Sequence, residues 1–229
     1  IRQGLSRKKV LKHLIDKIII VNGICASHRD MEVTQFDEIV VNNEAFKSQP
    51  AHYLMMNKPA GILSATEDKQ HKTAIDLINE TFAQQLHIAG RLDRATTGLL
   101  ILTNDGNWSR QLSEPRQKIP KRYLVKTVYA ISPDTAKQFT QGIYFKYENL
   151  TTSPAELELI DAYNCILTIY EGRYHQVKRM FAAVGNRVES LHRLSIGNII
   201  LDKNLKLGEY RALTRKEVLL LKSTNQQTE

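Results

Sequence analysis

The densest run of reactive side chains is Gly90-Arg91-Leu92-Asp93-Arg94-Ala95-Thr96-Thr97-Gly98, which leads directly into Leu99-Leu100-Ile101-Leu102-Thr103. A polar loop that opens into an apolar run of strand length holds its side chains at the start of a buried strand, a rigid mount for a reactive group. Asp93 is the one carboxylate in that loop. Between the guanidinium groups of Arg91 and Arg94 it can serve as a nucleophile held ionised, or simply as an ion-paired loop residue. Spacing alone leaves both readings open.

A second cluster is Glu171-Gly172-Arg173-Tyr174-His175-Gln176-Val177-Lys178-Arg179-Met180-Phe181. Ile166 to Tyr170 reads as a strand that turns through Glu171-Gly172 into a helix ending near Gly185, a capping glycine. Val177, Met180, Phe181 and Val184 share one face of that helix and are expected in the core. At about 100° per residue Lys178 falls on the flank of that face and Arg179 points away from it. Lys178 is therefore the cation better placed to enter a half-buried site. His175 could do acid–base work, but a lone histidine at a helix start also packs or faces a ligand. The histidines and the two cysteines, Cys25 and Cys165, show no metal-ligand spacing, so no metal is expected. A glycosidase would want a second carboxylate facing Asp93. The candidates, Asp105 in Asn-Asp-Gly and Glu171 in Glu-Gly, both read as turn residues.

These loops need a scaffold. Short β-rich runs (Tyr53 to Met56, Leu99 to Thr103, Tyr123 to Val128, Cys165 to Tyr170) alternate irregularly with helical stretches. The absence of a strand–helix cycle predicts an α+β domain on a mainly antiparallel sheet. Thr214 and Glu217 have capping-box spacing and predict a final helix. Upstream, Ser6 is placed to cap a helix from about Arg7 to Asp16, with Val10, Leu11, Leu14 and Ile15 as an apolar stripe and Lys8, Lys9 and Lys12 opposite. A strand over Ile18 to Val21, an Asn22-Gly23 hairpin turn and a strand including Ile39 to Val41 follow. The polar stretch Glu44 to Pro50 marks a boundary, giving a small domain over 1–48 and a larger one over 49–229.

With 229 residues the chain can bury a core in each. Its 32 Lys and Arg against 24 Asp and Glu leave a net charge of +8, which suits a polyanionic partner. Arg116, Lys118, Lys121, Arg122 and Lys126 form a basic stretch without an acid, either an RNA-facing surface or a solvated edge. No apolar run is long enough to span a membrane, no secretory signal is visible, and the two cysteines suit a reduced cytoplasm.

Two resemblances sharpen this reading. The order basic helix, strand and Asn-Gly turn, carried by Leu5-Ser6-Arg7 and Val21-Asn22-Gly23, resembles an S-four-like RNA-binding domain with a truncated first helix. The string GRLDRATTGLLILTNDG resembles the signature of the pseudouridine synthases that modify ribosomal RNA, in which the Asp after Arg-Leu is the nucleophile. Met56-Asn57-Lys58-Pro59-Ala60-Gly61 is similar to the same family's first motif, and Lys121-Arg122-Tyr123 to the motif whose tyrosine packs on the target base. In that family a basic residue two positions after the Gln of the last motif pairs with the catalytic Asp, a role that maps onto Lys178.

The resemblance thus implies Asp93 as catalytic, supported by Arg91, Tyr123 and Lys178. In the first module it implies an RNA-binding role, for which the basic helix offers Arg7, Lys8, Lys9 and Lys12. Around the motifs it implies RNA contacts by Lys58, Arg94, Lys121, Arg122, Arg173 and Gln176. EGRYHQVKRMFAAVGNRVESLHR is most similar to the branch that makes the single pseudouridine of small-subunit 16S RNA, at uridine 516. The isomerisation needs no cofactor. A monomer working in the cytoplasm on small-subunit ribosomal RNA or its assembly particle is the expected setting.

Overall fold

The computed structural model describes residues 6–31, 33, 37–46 and 50–223. The chain divides into two compact units, Ile1–Ala51 and His52–Glu229.

In the first unit, Ser6 Oγ accepts from Lys9 N at 3.3 Å and starts helix α1 (Arg7–Ile15). Lys8, Lys9 and Lys12 are exposed, but so are Leu11 and Ile15, so the expected apolar stripe is covered only at Val10 and Leu14. Strands β1 (Ile19–Val21), β2 (Ile24–Cys25), β3 (Ile39–Val41) and β4 (Glu44–Phe46) form a sheet in the order β2-β1-β3-β4. Asn22 and Gly23 take φ of 51° and 79° between the paired Val21 and Ile24, the two left-handed residues a tight hairpin needs. Asn42 and Asn43, at φ 56° and 62°, make a second such turn between Val41 and Glu44. Glu44–Phe46, at the start of the polar stretch that marks the boundary, is a strand of this sheet. Leu5 and the side chain of Arg7 lie outside the described residues.

The second unit contains β5 (Tyr53–Lys58), β6 (His87–Ala89), β7 (Thr97–Thr103), α2 (Gly106–Ser113), β8 (Lys121–Thr127) and α3 (Thr135–Gln141). A small pair, β9 (Tyr144–Phe145) and β10 (Leu150–Thr151), precedes β11 (Glu156–Leu159), β12 (Asn164–Ile169) and α4 (Gln176–Ala183). β13 (Val188–Ile196), β14 (Ile199–Ile200), β15 (Tyr210–Ala212) and α5 (Arg215–Ser223) complete it. The main sheet runs β11-β12-β8-β13-β7-β5-β15, with β14 on β13 and β6 on β7. Its pairings are antiparallel except that between β13 and β7, so the mixed α+β architecture carries one parallel seam.

The central strands are covered on both faces. Leu99, Leu100, Ile101 and Leu102 of β7 are fully buried, each contributing roughly 1.5–3 kcal/mol of burial. Trp108 of α2 meets the Tyr53 ring edge-on at 4.9 Å and donates to Val218 O of α5. Elsewhere in the core Phe139 of α3 and Phe181 of α4 form an edge-on pair at 5.1 Å. The capping box closes as expected, Thr214 N donating to Glu217 Oε2 and Glu217 N to Thr214 Oγ1. β8 follows a strict alternation, with Lys121, Tyr123, Val125 and Thr127 inward and Arg122, Leu124 and Lys126 outward.

Candidate active site

Asp93 sits in the loop between β6 and β7, and the backbone of that loop is held from behind by two buried cations. Lys58, 0% exposed at the end of β5, donates to the carbonyls of Pro59 at 2.9 Å, Arg94 at 3.3 Å and Thr96 at 2.9 Å. Arg193 of β13, 1% exposed, donates to Gly90 O at 2.7 Å, Arg91 O at 3.3 Å and Leu99 O at 2.8 Å. Ser64 fixes the middle, its hydroxyl donating to Leu92 O and accepting from Leu92 N. Carbonyl groups that would otherwise be orphaned at a strand entrance thus become the anchors of the loop. Burial pushes the Lys58 ammonium down to about 8; the Asp93 charge opposes that fall and Arg193 adds to it.

The parallel seam explains the glycine of the motif. Gly98 has φ of 100°, and a Cβ there would lie 2.6 Å from Arg193 N and closer still to Arg193 O. Only glycine lets β13 come this near. A register shift between Arg193 and Ser195 marks a bulge at the same place, a local kink of the kind that re-aims a side chain.

The opposite wall of the pocket belongs to the turn into α4. Glu171 is buried, with Oε1 accepting from Ser153 N and Gln176 Nε2, and Oε2 from Arg173 Nε. Gln176 Oε1 in turn accepts from Arg173 N. From this turn Lys178 reaches across to place Nζ 3.2 Å from Asp93 Oδ2, while His175 Nε2 lies 3.4 Å from Oδ1. The side chains of Asp93 and Lys178 are 25% and 34% exposed, accessible yet partly desolvated. Tyr123 and Lys121, inward on β8, line the same pocket. Burial, with Arg193 adding and Glu171 opposing, pushes the Lys121 ammonium down to about 8. Among the described residues lining this pocket Asp93 is the sole carboxylate.

Several expected contacts fall elsewhere. Lys58, Lys121 and Gln176 are buried with their polar groups used on other residues of the protein, Lys58 behind the loop and the other two in the pocket lining, so none presents a surface to RNA. Arg122 projects from the face of β8 opposite Tyr123 and pairs with Glu158 at 3.4 Å. Arg116 meets Glu114, two positions upstream, and Lys126 meets Glu189, so Arg116, Arg122 and Lys126 of the basic stretch are each paired with an acid. Arg94 turns its Nε to Gly61 O; Arg91 lies exposed at the pocket rim. Among the described residues the ion-pair partners of Asp93 are Lys178 and His175, not the two flanking arginines. Arg173 lines the pocket and keeps a partly exposed guanidinium.

Arg179, expected to point away from the helix core face, pairs with Glu148 and lies over the Phe145 ring at 3.8 Å. Asp105 caps α2 and Glu171 has both oxygens occupied, so neither supplies the facing carboxylate a glycosidase would need. Arg193, Ser64 and the link from His175 to Asp93 were not anticipated. Only His175 carried a local signal, standing three residues before Lys178 and so on its side of the helix.

Known proteins resemble this chain over most of its length. The family described as RNA pseudouridylate synthase matches residues 52–183. The ribosomal small subunit pseudouridine synthase A of Vibrio cholerae is 51% identical over 94% of this chain and 93% of its own. That of Yersinia pestis is 43% identical over 94% and 92%. A crystal structure of a pseudouridylate synthase, 40% identical, superimposes with a TM-score of 0.73 over 95% of this chain and 94% of that one. Asp93, Tyr123 and Lys178 all fall inside the matched segment, and on that match this chain belongs to the RNA pseudouridylate synthase family and is an isomerase.

Proposed function

We propose that the protein converts a uridine of small-subunit 16S ribosomal RNA, uridine 516, to pseudouridine, with Asp93 as the nucleophile. The observation that carries the chemistry is a lone pocket carboxylate met by Lys178 and His175, with Tyr123 in the same pocket. In the reaction the bond from ribose C1′ to N1 breaks, the uracil turns, and C5 joins C1′. The C5 proton leaves and N1 gains one, so no co-reactant is required. The Asp93 carboxylate stabilises the sugar fragment while the base is detached, with Lys178 against one of its oxygens. Tyr123 offers a ring against which the turning base can pack. Arg91 and Arg173 at the rim, with Arg94 beside the loop, are cations available to the phosphates of an extruded nucleotide.

The choice of RNA is supported by the names of the relatives, ribosomal small subunit pseudouridine synthase A in each case. The exposed Lys8, Lys9 and Lys12 of the first unit support an S-four-like RNA-binding role there, to which Arg7 would add. The protein is read as a cytoplasmic monomer acting on small-subunit RNA or its assembly particle. The decisive assay supplies small-subunit and large-subunit ribosomal RNA, each with tritium at uracil C5, follows release of the label, then maps the modified position by sequencing. Release from small-subunit RNA at a single site is expected; release only from large-subunit RNA would reassign the substrate, and none from either would remove the proposal.

A further inference from the structure

We propose that His175 is a positioning residue for the Asp93 carboxylate, holding one oxygen while Lys178 holds the other. The proposal rests on Asp93 being the nucleophile. Lys178 Nζ lies 3.2 Å from Oδ2 and His175 Nε2 lies 3.4 Å from Oδ1. With Lys178 alone, a carboxylate open to the pocket can still turn about its Cβ–Cγ bond. A donor on the second oxygen fixes the plane of the group as well as its place, which is what attack on a sugar carbon requires. An imidazole carrying its proton on Nε2 donates in this direction whether neutral or charged. A contact of 3.4 Å suits a site without substrate, since such bonds shorten when a bound base displaces water.

The way the imidazole is held argues that its direction matters. His175 is the residue preceding the first turn of α4, where a side chain ordinarily caps a free backbone N–H. It makes no such bond, and its ring is turned to Asp93 instead. Its backbone sits at φ 48° and ψ 30°, a left-handed conformation that is unfavourable for a residue bearing a side chain. The ring stacks on Tyr174 with centroids 3.9 Å apart and planes 18° from parallel. Tyr174 O accepts from Arg179, itself anchored on Glu148 and the Phe145 ring. Histidine tolerates left-handed backbone better than most residues, but that tolerance explains neither the missing cap nor the aim of the ring.

Two substitutions separate the imidazole from the backbone. His175→Gly accepts the left-handed conformation and removes the ring, whereas His175→Gln restores an amide donor near the position of Nε2. Tritium release is measured under single-turnover conditions at saturating RNA, with KM and the thermal midpoint for each variant. The glycine variant should lose about 10- to 100-fold in rate, with KM within about threefold of the parent and no lower thermal midpoint. The glutamine variant should recover to within about fivefold of the parent rate. A near-normal rate for His175→Gly, a glutamine variant no better than glycine, or a loss confined to KM would overturn the role. Asp93→Asn is run alongside. If it turns over, the nucleophile reading fails; if it is inert while His175→Gly is active, only the positioning role falls.

Discussion

The loop that carries Asp93 and the turn that carries its partners are held in opposite ways. Behind the loop stand Lys58 and Arg193, both fully buried, which between them bond six backbone carbonyls. The turn into α4 relies on the buried Glu171 hub and, further out, on the surface pair of Arg179 and Glu148. Its working side chains, His175 and Lys178, remain a third or more exposed. The difference gives rigidity to the Asp93 loop and access to the groups that meet its carboxylate. A reacting carboxylate gains from a fixed origin, while a base entering the pocket needs a wall that solvent and RNA can reach.

The comparison breaks most completely at the carboxylate itself. Asp93→Asn should lower turnover by at least about a thousandfold in the tritium assay while leaving RNA affinity within a few-fold, because shape survives and the nucleophile does not. Retained turnover would end the assignment. Next comes the rigid side. Arg193→Met leaves three carbonyls without their donor, that of Leu99 fully buried, and should cost roughly 3–5 kcal/mol in urea unfolding. A loss under about 1 kcal/mol would show that the loop is held by something other than the clamp.

On the accessible side the pattern should reverse. Lys178→Met should cut single-turnover rate by about 10- to 100-fold yet change unfolding free energy by no more than about 1 kcal/mol, since the pair is partly solvated. The smallest effect is in alkaline pH. Lys58 and Lys121 both titrate near 8 in the folded protein against an ordinary 10.5. Between those values the unfolded chain binds more protons, so the contribution of these groups to stability rises with pH. Turnover should move the other way, falling severalfold as pH rises through about 8, because a neutral Lys58 loses its charge and one of three donors. Opposite slopes for thermal midpoint and rate would sharpen the contrast; parallel slopes would contradict the clamp.

What was legible in the sequence was mostly local. Asn22-Gly23 and the Thr214–Glu217 box carry their conformation in their own chemistry, and the helical phase of α4 separated Lys178 from Arg179 without any tertiary knowledge. The architecture of a mainly antiparallel sheet also followed from the irregular spacing of strands. What escaped was set by distant partners. Lysine and glutamine read as surface residues, yet Lys58 and Gln176 are buried because backbone carbonyls and a carboxylate elsewhere satisfy them. Arg193 lies about a hundred positions from the loop it holds, with no local pattern to connect them. The outward aim of Arg122 is a period-two consequence of the inward aim of Tyr123, overlooked when the basic stretch was read by charge alone.

The clamp by Arg193 also has a consequence in time. Its carbonyl partners precede it by 94 to 103 positions. A ribosome adding about 5–20 residues per second makes the Asp93 loop roughly 5–20 seconds before the guanidinium that will secure it. Until β13 arrives, β7 lacks its parallel neighbour and the Asp93 loop lacks one of its two clamps. The pocket thus acquires its geometry late in synthesis, only once β13 has been laid down beside β7.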